Sequence, residues 1–153
     1  MYYSGQEIIE IAVRIEENGY AFYTAAAEAL KTDTDIKALL LDLAEKEVMH
    51  IAIFQKLAEK FEAEKFEFNQ DEADDYINYL ADRHIFGKAG AGTELAKTVK
   101  TPKEALGIAF KFENDSVDFY TELEKRTESN AKRLIHQVIE EEKEHAAEIK
   151  RFM

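Results

Sequence analysis

A glutamate followed one helix later by Glu-x-x-His occurs twice in this chain. Glu16 precedes Glu47-Val48-Met49-His50, and Glu113 precedes Glu142-Lys143-Glu144-His145. Carboxylate oxygens and imidazole nitrogens without any thiolate suit iron, manganese or zinc. Residues three apart are neighbours on one helix face, so each Glu-x-x-His presents both donors in one direction. A single copy is weak evidence in so acidic a chain. Two copies, about 95 residues apart, supply four carboxylates and two imidazoles. That is the donor set for two metal ions inside a four-helix bundle.

The surroundings of these residues strengthen the inference. Each Glu or His interrupts an otherwise apolar helical stripe, so its side chain is expected to face the core. An unpaired carboxylate in a low-dielectric interior is very costly. Four of them facing one core repel each other, and two divalent cations reverse that repulsion. The bland alternatives are a glutamate that snorkels at a bundle end and a histidine that is an ordinary core residue. His84 and His136 lack such partners and are read as surface or packing residues. Glu17 and Glu45 lie off the best stripes and are read as solvated, with Glu17 the alternative to Glu16 as a ligand.

Four amphipathic segments must position these donors. The first spans about 6–30, with Ile9, Ala12, Glu16, Gly19, Tyr23, Ala26 and Leu30 on one face. The second spans about 33–61, with Ile36, Leu40, Leu43, Glu47, His50, Phe54 and Leu57 aligned. The short polar link Lys31-Thr32-Asp33-Thr34 makes these two an antiparallel hairpin, and a Thr or Asp within it is a helix-cap candidate. The third segment starts near Pro102, which suits a first helical turn, after the cap candidate Thr101. Its stripe is Leu106, Ala109, Glu113, Ser116, Tyr120 and Leu123. The fourth runs from about Asn130 to the end, with Ala131, Ile135, Val138, Glu142, His145, Ile149 and Phe152 aligned.

The stripes superpose. An offset of 97 carries Ile9, Ala12, Glu16 and Tyr23 onto Leu106, Ala109, Glu113 and Tyr120. An offset of 95 carries Leu43, Glu47 and His50 onto Val138, Glu142 and His145. The sequence therefore reads as two copies of one helical hairpin about a pseudo-twofold axis, in an all-α four-helix bundle. Hairpin 1 covers about 6–61 and hairpin 2 about 102–153 of a single domain spanning 1–153. The crossover, about 62–101, must travel the length of the bundle. Within it, Asp71 to Phe86 is expected to form a short amphipathic helix through Tyr76, Ile77, Leu80 and His84. Gly87 to Gly92 reads as a flexible turn.

Tyr23 and Tyr120 lie seven residues beyond their glutamates, two turns along the same face. Three roles are open to them: core aromatics whose hydroxyls find a carboxylate, supports for metal-bound glutamates, or redox-active phenols.

Composition bounds the rest. The chain has 153 residues, 46% hydrophobic and 34% charged, with one proline and six glycines. Few breakers favour long helices. No cysteine is present, which excludes disulfides and thiolate chemistry and fits a reducing cytoplasm, the expected location. No signal pattern or membrane-spanning apolar run is visible. A formal net charge of −12 argues against general nucleic-acid binding.

With Glu16 and Tyr23, Glu47-x-x-His50, Glu113 and Tyr120, and Glu142-x-x-His145 in place, the chain resembles the rubrerythrin branch of the ferritin-like superfamily. The resemblance covers most of the sequence. It implies two iron ions per chain, bridged by Glu47 and Glu142, with Glu16 and Glu113 as terminal ligands and His50 and His145 completing one ion each. Two features depart from the family. Full-length rubrerythrins carry a rubredoxin-like domain with a four-cysteine iron site, whereas this sequence has no cysteine. They also carry a further glutamate one turn after the third-helix ligand, where Ser116 stands here, matched by Gly19 in the first copy.

The resemblance implies an oxidoreductase in oxidative-stress defence. Two ferrous ions would reduce hydrogen peroxide or dioxygen and then be re-reduced by a separate donor such as a rubredoxin-type protein. Small Gly19 and Ser116 are expected to leave space for the oxidant. The alternatives are a ferroxidase serving iron storage or delivery, and a metal-stabilised bundle without catalysis. A homodimer is expected, with Tyr2, Tyr3 and the Tyr76–Phe86 segment as exposed aromatic candidates. Exchange of a hairpin between two chains is a further option.

Overall fold

The computed structural model describes residues 3–64, 74–127 and 129–153. Those residues form six helices: α1 (Gly5–Ala29), α2 (Thr34–Glu64), α3 (Asp74–Arg83), α4 (Ala91–Ala96), α5 (Pro102–Lys125) and α6 (Ser129–Phe152). No strand occurs among them. The architecture is the expected ferritin-like bundle. Helices α1 and α2 pack as one hairpin, α5 and α6 as the other, and α1–α5 and α2–α6 contacts join them.

The helix starts follow from local chemistry. Ser4 accepts from the Glu7 N–H at 3.2 Å, and the Glu7 carboxylate accepts from the Ser4 N–H at 2.7 Å. Thr101 and Glu104 make the same reciprocal pair ahead of α5, with Pro102 in the first turn. Each box satisfies backbone donors that a helix start leaves unpaired. Of the link residues, Asp33 is the cap: its Oδ1 accepts from the Ile36 N–H at 3.0 Å.

The stripes converge on one core. Phe22, Phe54, Phe112, Phe119, Leu40, Leu43 and Ile135 are fully enclosed there. Burying each such side chain contributes about 1.5–3 kcal/mol. This apolar packing offsets the cost of enclosing the polar cluster described below.

The crossover differs from expectation. Its helix α3 ends at Arg83, short of the predicted end at Phe86, and residues 71–73 lie outside the described set. The stretch read as a flexible turn is instead pinned and leads into a second helix, α4. Asn18 of α1 is buried, and its amide donates to the carbonyls of Phe86 and Lys88, each at 2.8 Å. Its oxygen accepts from the Gly92 N–H at 3.3 Å. Gly90 takes a left-handed φ of 76°, which favours glycine. Gly92 permits close approach to α1, since a Cβ there would lie 2.0 Å from the Asn18 carbonyl oxygen.

Two of the expected exposed aromatics are occupied. Phe86 is fully buried against Phe22 and Phe112. The Tyr3 hydroxyl donates to Asp82 at 2.7 Å, tying the start of α1 to α3. Tyr76 and Tyr79 remain exposed and stack on each other. Tyr2 lies outside the described residues.

Candidate metal centre

All six stripe-interrupting donors meet at the middle of the bundle. Glu16 comes from α1, Glu47 and His50 from α2, Glu113 from α5, and Glu142 and His145 from α6. Five are completely buried and His145 is 3% exposed. They fall into two groups. In one, ligand atoms of Glu16, Glu47, His50 and Glu142 lie within 4.8 Å of one another. In the other, those of Glu47, Glu113, Glu142 and His145 do the same. Glu47 and Glu142 belong to both. The imidazoles stack with centroids 5.6 Å apart and turn Nδ1 inward. His50 Nδ1 lies 3.4 Å from Glu16, 3.7 Å from Glu47 and 3.3 Å from Glu142. His145 Nδ1 lies 3.1 Å from Glu142, 3.5 Å from Glu113 and 3.7 Å from Glu47.

These donors are poorly satisfied by one another. Buried Glu16 Oε2, both Glu47 oxygens, His50 Nδ1, Glu113 Oε2 and Glu142 Oε1 have no hydrogen-bond partner. Orphaned buried polar atoms each cost about 1–3 kcal/mol or more when charged. Here they point at a common centre, so the donor set fits two cations, each held by one imidazole and carboxylates. Without cations the charges conflict. Burial and the neighbouring carboxylates push Glu47 and Glu142 well above the usual carboxylate range. Burial also opposes ionisation of Glu16, but the adjoining Glu47 and His50 and the hydroxyl of Tyr120 bring it down to about 2.

Both tyrosines reach across the bundle. Tyr23 of α1 donates to Glu113 of α5, and Tyr120 of α5 donates to Glu16 of α1. Burial, together with the adjacent carboxylates, holds both phenols well above their ordinary pKa, so both stay protonated donors.

The other candidates sit elsewhere. Glu17 and Glu45 are exposed, which leaves Glu16 facing the cluster. His136 is exposed and pairs with Glu124 at 3.0 Å. His84 is a buried packing residue rather than a surface one. Its Nδ1 accepts from the Phe86 N–H at 3.1 Å, which leaves Nε2 as the donor to Ser116 Oγ at 3.0 Å. Burial lowers its pKa to about 4.

The expected space beside the glutamates is filled. A Cβ on Gly19 would lie 2.5 Å from Phe112 Cζ, and Ser116 is occupied by His84. Small residues here admit neighbouring rings, not an oxidant.

Sequence reasoning missed Glu141. Its Oε2 lies 2.8 Å from His50 Nε2, on the side of the ring away from the cluster. This contact makes Nε2–H a donor and frees Nδ1 for a metal.

Comparison with known proteins agrees with this geometry. The family model described as Rubrerythrin matches residues 7–86 and 104–153. The chain belongs to the rubrerythrin family. It is also similar in structure to a protein of Thermotoga maritima proposed to be a ferritin-like diiron-carboxylate protein. The TM-score is 0.69 at 25% sequence identity, covering 98% of this chain and 94% of that one. No curated protein matches the chain. Family, fold and cluster together support a binuclear metal site. No described helix is long and apolar enough to cross a membrane.

Proposed function

We propose that this protein is a di-iron oxidoreductase that reduces hydrogen peroxide or dioxygen with electrons from a separate donor. The observation that carries the proposal is the ring of orphaned, inward-facing donors from Glu16, Glu47, His50, Glu113 and Glu142. When bound, two ferrous ions supply one electron each, enough with two protons to cleave hydrogen peroxide to two waters.

The chain's own residues shape that chemistry. Glu47 and Glu142 belong to both donor groups and would be the ligands that the two ions share. Glu16 with His50, and Glu113 with His145, would complete one position each. Tyr23 and Tyr120 hold the terminal glutamates in place by donating to them. Burial of the whole set excludes bulk water and strengthens each electrostatic contact. These residues include no cysteine and so form no rubredoxin-type iron site; re-reduction is assigned to a separate donor.

Stopped-flow oxidation of anaerobically Fe(II)-loaded protein tests this reading. Faster oxidation by hydrogen peroxide than by dioxygen identifies a peroxidase. Faster reaction with dioxygen, with iron then leaving the site, identifies iron handling instead. Glu47→Ala and Glu142→Ala proteins that consume peroxide as fast as wild type refute the proposal.

A further inference from the structure

The internal repeat places unlike residues behind the two histidines. The offset that carries Glu47 onto Glu142 and His50 onto His145 carries Lys46 onto Glu141. Glu141 of α6 crosses to α2 and meets His50 Nε2 at 2.8 Å. Lys46 of α2 crosses to α6, but it pairs with Glu148 at 3.1 Å and with Asp42 of its own helix at 2.9 Å. An ammonium group has no acceptor to offer an imidazole N–H. Among the described residues, the carboxylates near His145 all approach its Nδ1, and none backs its Nε2.

We infer that the two metal positions are inequivalent, with Glu141 making the His50 position the tighter and first-filled of the two. The inference rests on the binuclear reading of the cluster. A carboxylate accepting from Nε2–H fixes the imidazole's tautomer and orientation and raises the basicity of Nδ1, and losing such a partner lowers metal affinity roughly 10–100-fold. Glu141 also adds a negative charge beside the His50 position. At the corresponding place in the repeat, Lys46 is paired with Glu148 and Asp42 and offers His145 no acceptor. The first ion therefore settles among Glu16, Glu47, His50 and Glu142, and the second among Glu47, Glu113, Glu142 and His145.

The test is an anaerobic Co(II) titration of the metal-free protein, followed by ligand-field absorption. Wild type is expected to bind in two steps separated roughly 10–100-fold. Glu141→Gln weakens the tighter step by that factor and leaves the weaker one in place, so the two merge. The Glu141 side chain is 37% exposed, so a glutamine of the same shape fits there without displacing buried neighbours. A second readout needs no variant. At one equivalent of Co(II), proton NMR shows one exchangeable, paramagnetically shifted imidazole N–H, that of His50, and the second appears only with the second ion. Two equivalent sites in wild type, a Glu141→Gln change that weakens both steps equally or neither, or both N–H signals growing together overturns the inference and leaves the binuclear centre standing. No Co(II) bound by any of these proteins overturns both.

Discussion

Tyr120 on α5 donates its hydroxyl to Glu16 on α1, while Tyr23 on α1 donates to Glu113 on α5. Each hairpin's tyrosine thus holds the other hairpin's glutamate, and the cluster is cross-braced as well as enclosed. The phenols act as fixed donors because burial keeps them protonated.

A Tyr23→Phe, Tyr120→Phe double variant keeps the ring packing and removes both donors. Metal affinity is expected to fall roughly 10–100-fold, the usual effect of losing a ligand's supporting hydrogen bond. Competition with a chelator of known affinity measures it. An unchanged affinity makes both tyrosines packing residues only.

Replacing Glu47 and Glu142 with glutamine should move stability in opposite directions with and without metal. In the metal-free protein burial and the neighbouring carboxylates oppose ionisation of both groups, so folding at neutral pH must take up protons there, a cost that glutamine removes. The metal-free variant is expected to melt higher than wild type. Added Fe(II) or Co(II) should then raise wild type's Tm and leave the variant's unchanged, because binding stabilises only a state that holds the ligand. Thermal melts of four samples decide it. A metal-free variant that melts lower than wild type contradicts the account.

The six donors were legible in the sequence because each breaks an apolar row at helical spacing and because the row occurs twice. Other features required contacts between distant segments. Glu141 lies off the stripe and faces partly to solvent, and its counterpart in the repeat is Lys46, so repetition concealed it. Gly19 read as open space because no periodicity shows that Phe112 fills it. Asn18 is an unremarkable helix residue until the crossover, about 70 positions later, brings carbonyls to its amide. The second crossover helix was hidden for the same reason: its start depends on Gly90 and on docking against α1.

Gly92→Ala is expected to loosen the crossover. The added Cβ would sit 2.0 Å from the Asn18 carbonyl oxygen, a backbone atom of a packed helix that cannot rotate away. α4 must move off α1, which costs about 1–3 kcal/mol as overpacking. Urea unfolding of the metal-free protein reads the loss. Hydrogen exchange should show faster opening around residues 86–92 than in α5. Wild-type stability in this variant would mean that the Asn18 clamp contributes nothing.

His84 should make the metal-free protein acid-sensitive over a defined window. Burial keeps it neutral in the folded state down to about pH 4, against an ordinary value of 6.5. Asp115, Glu16 and Glu113 favour its protonation and Lys111 opposes it, but burial outweighs the carboxylates. The unfolded chain therefore takes up the proton first as pH falls. Stability from this group is fully present above about pH 6.5, declines between there and about 4, and is flat below. The loss across the window is about 3 kcal/mol. Glutamine at this position can still donate to Ser116 and accept from Phe86 but does not titrate. The stability difference between wild type and His84→Gln, measured by urea unfolding at pH 7 and pH 4.5, should therefore shift against wild type on acidification. Because the carboxylate cluster is common to both proteins, its own titration largely cancels in that difference. A difference that stays constant between the two pH values would show that His84 is already protonated, or remains solvated, in the folded protein.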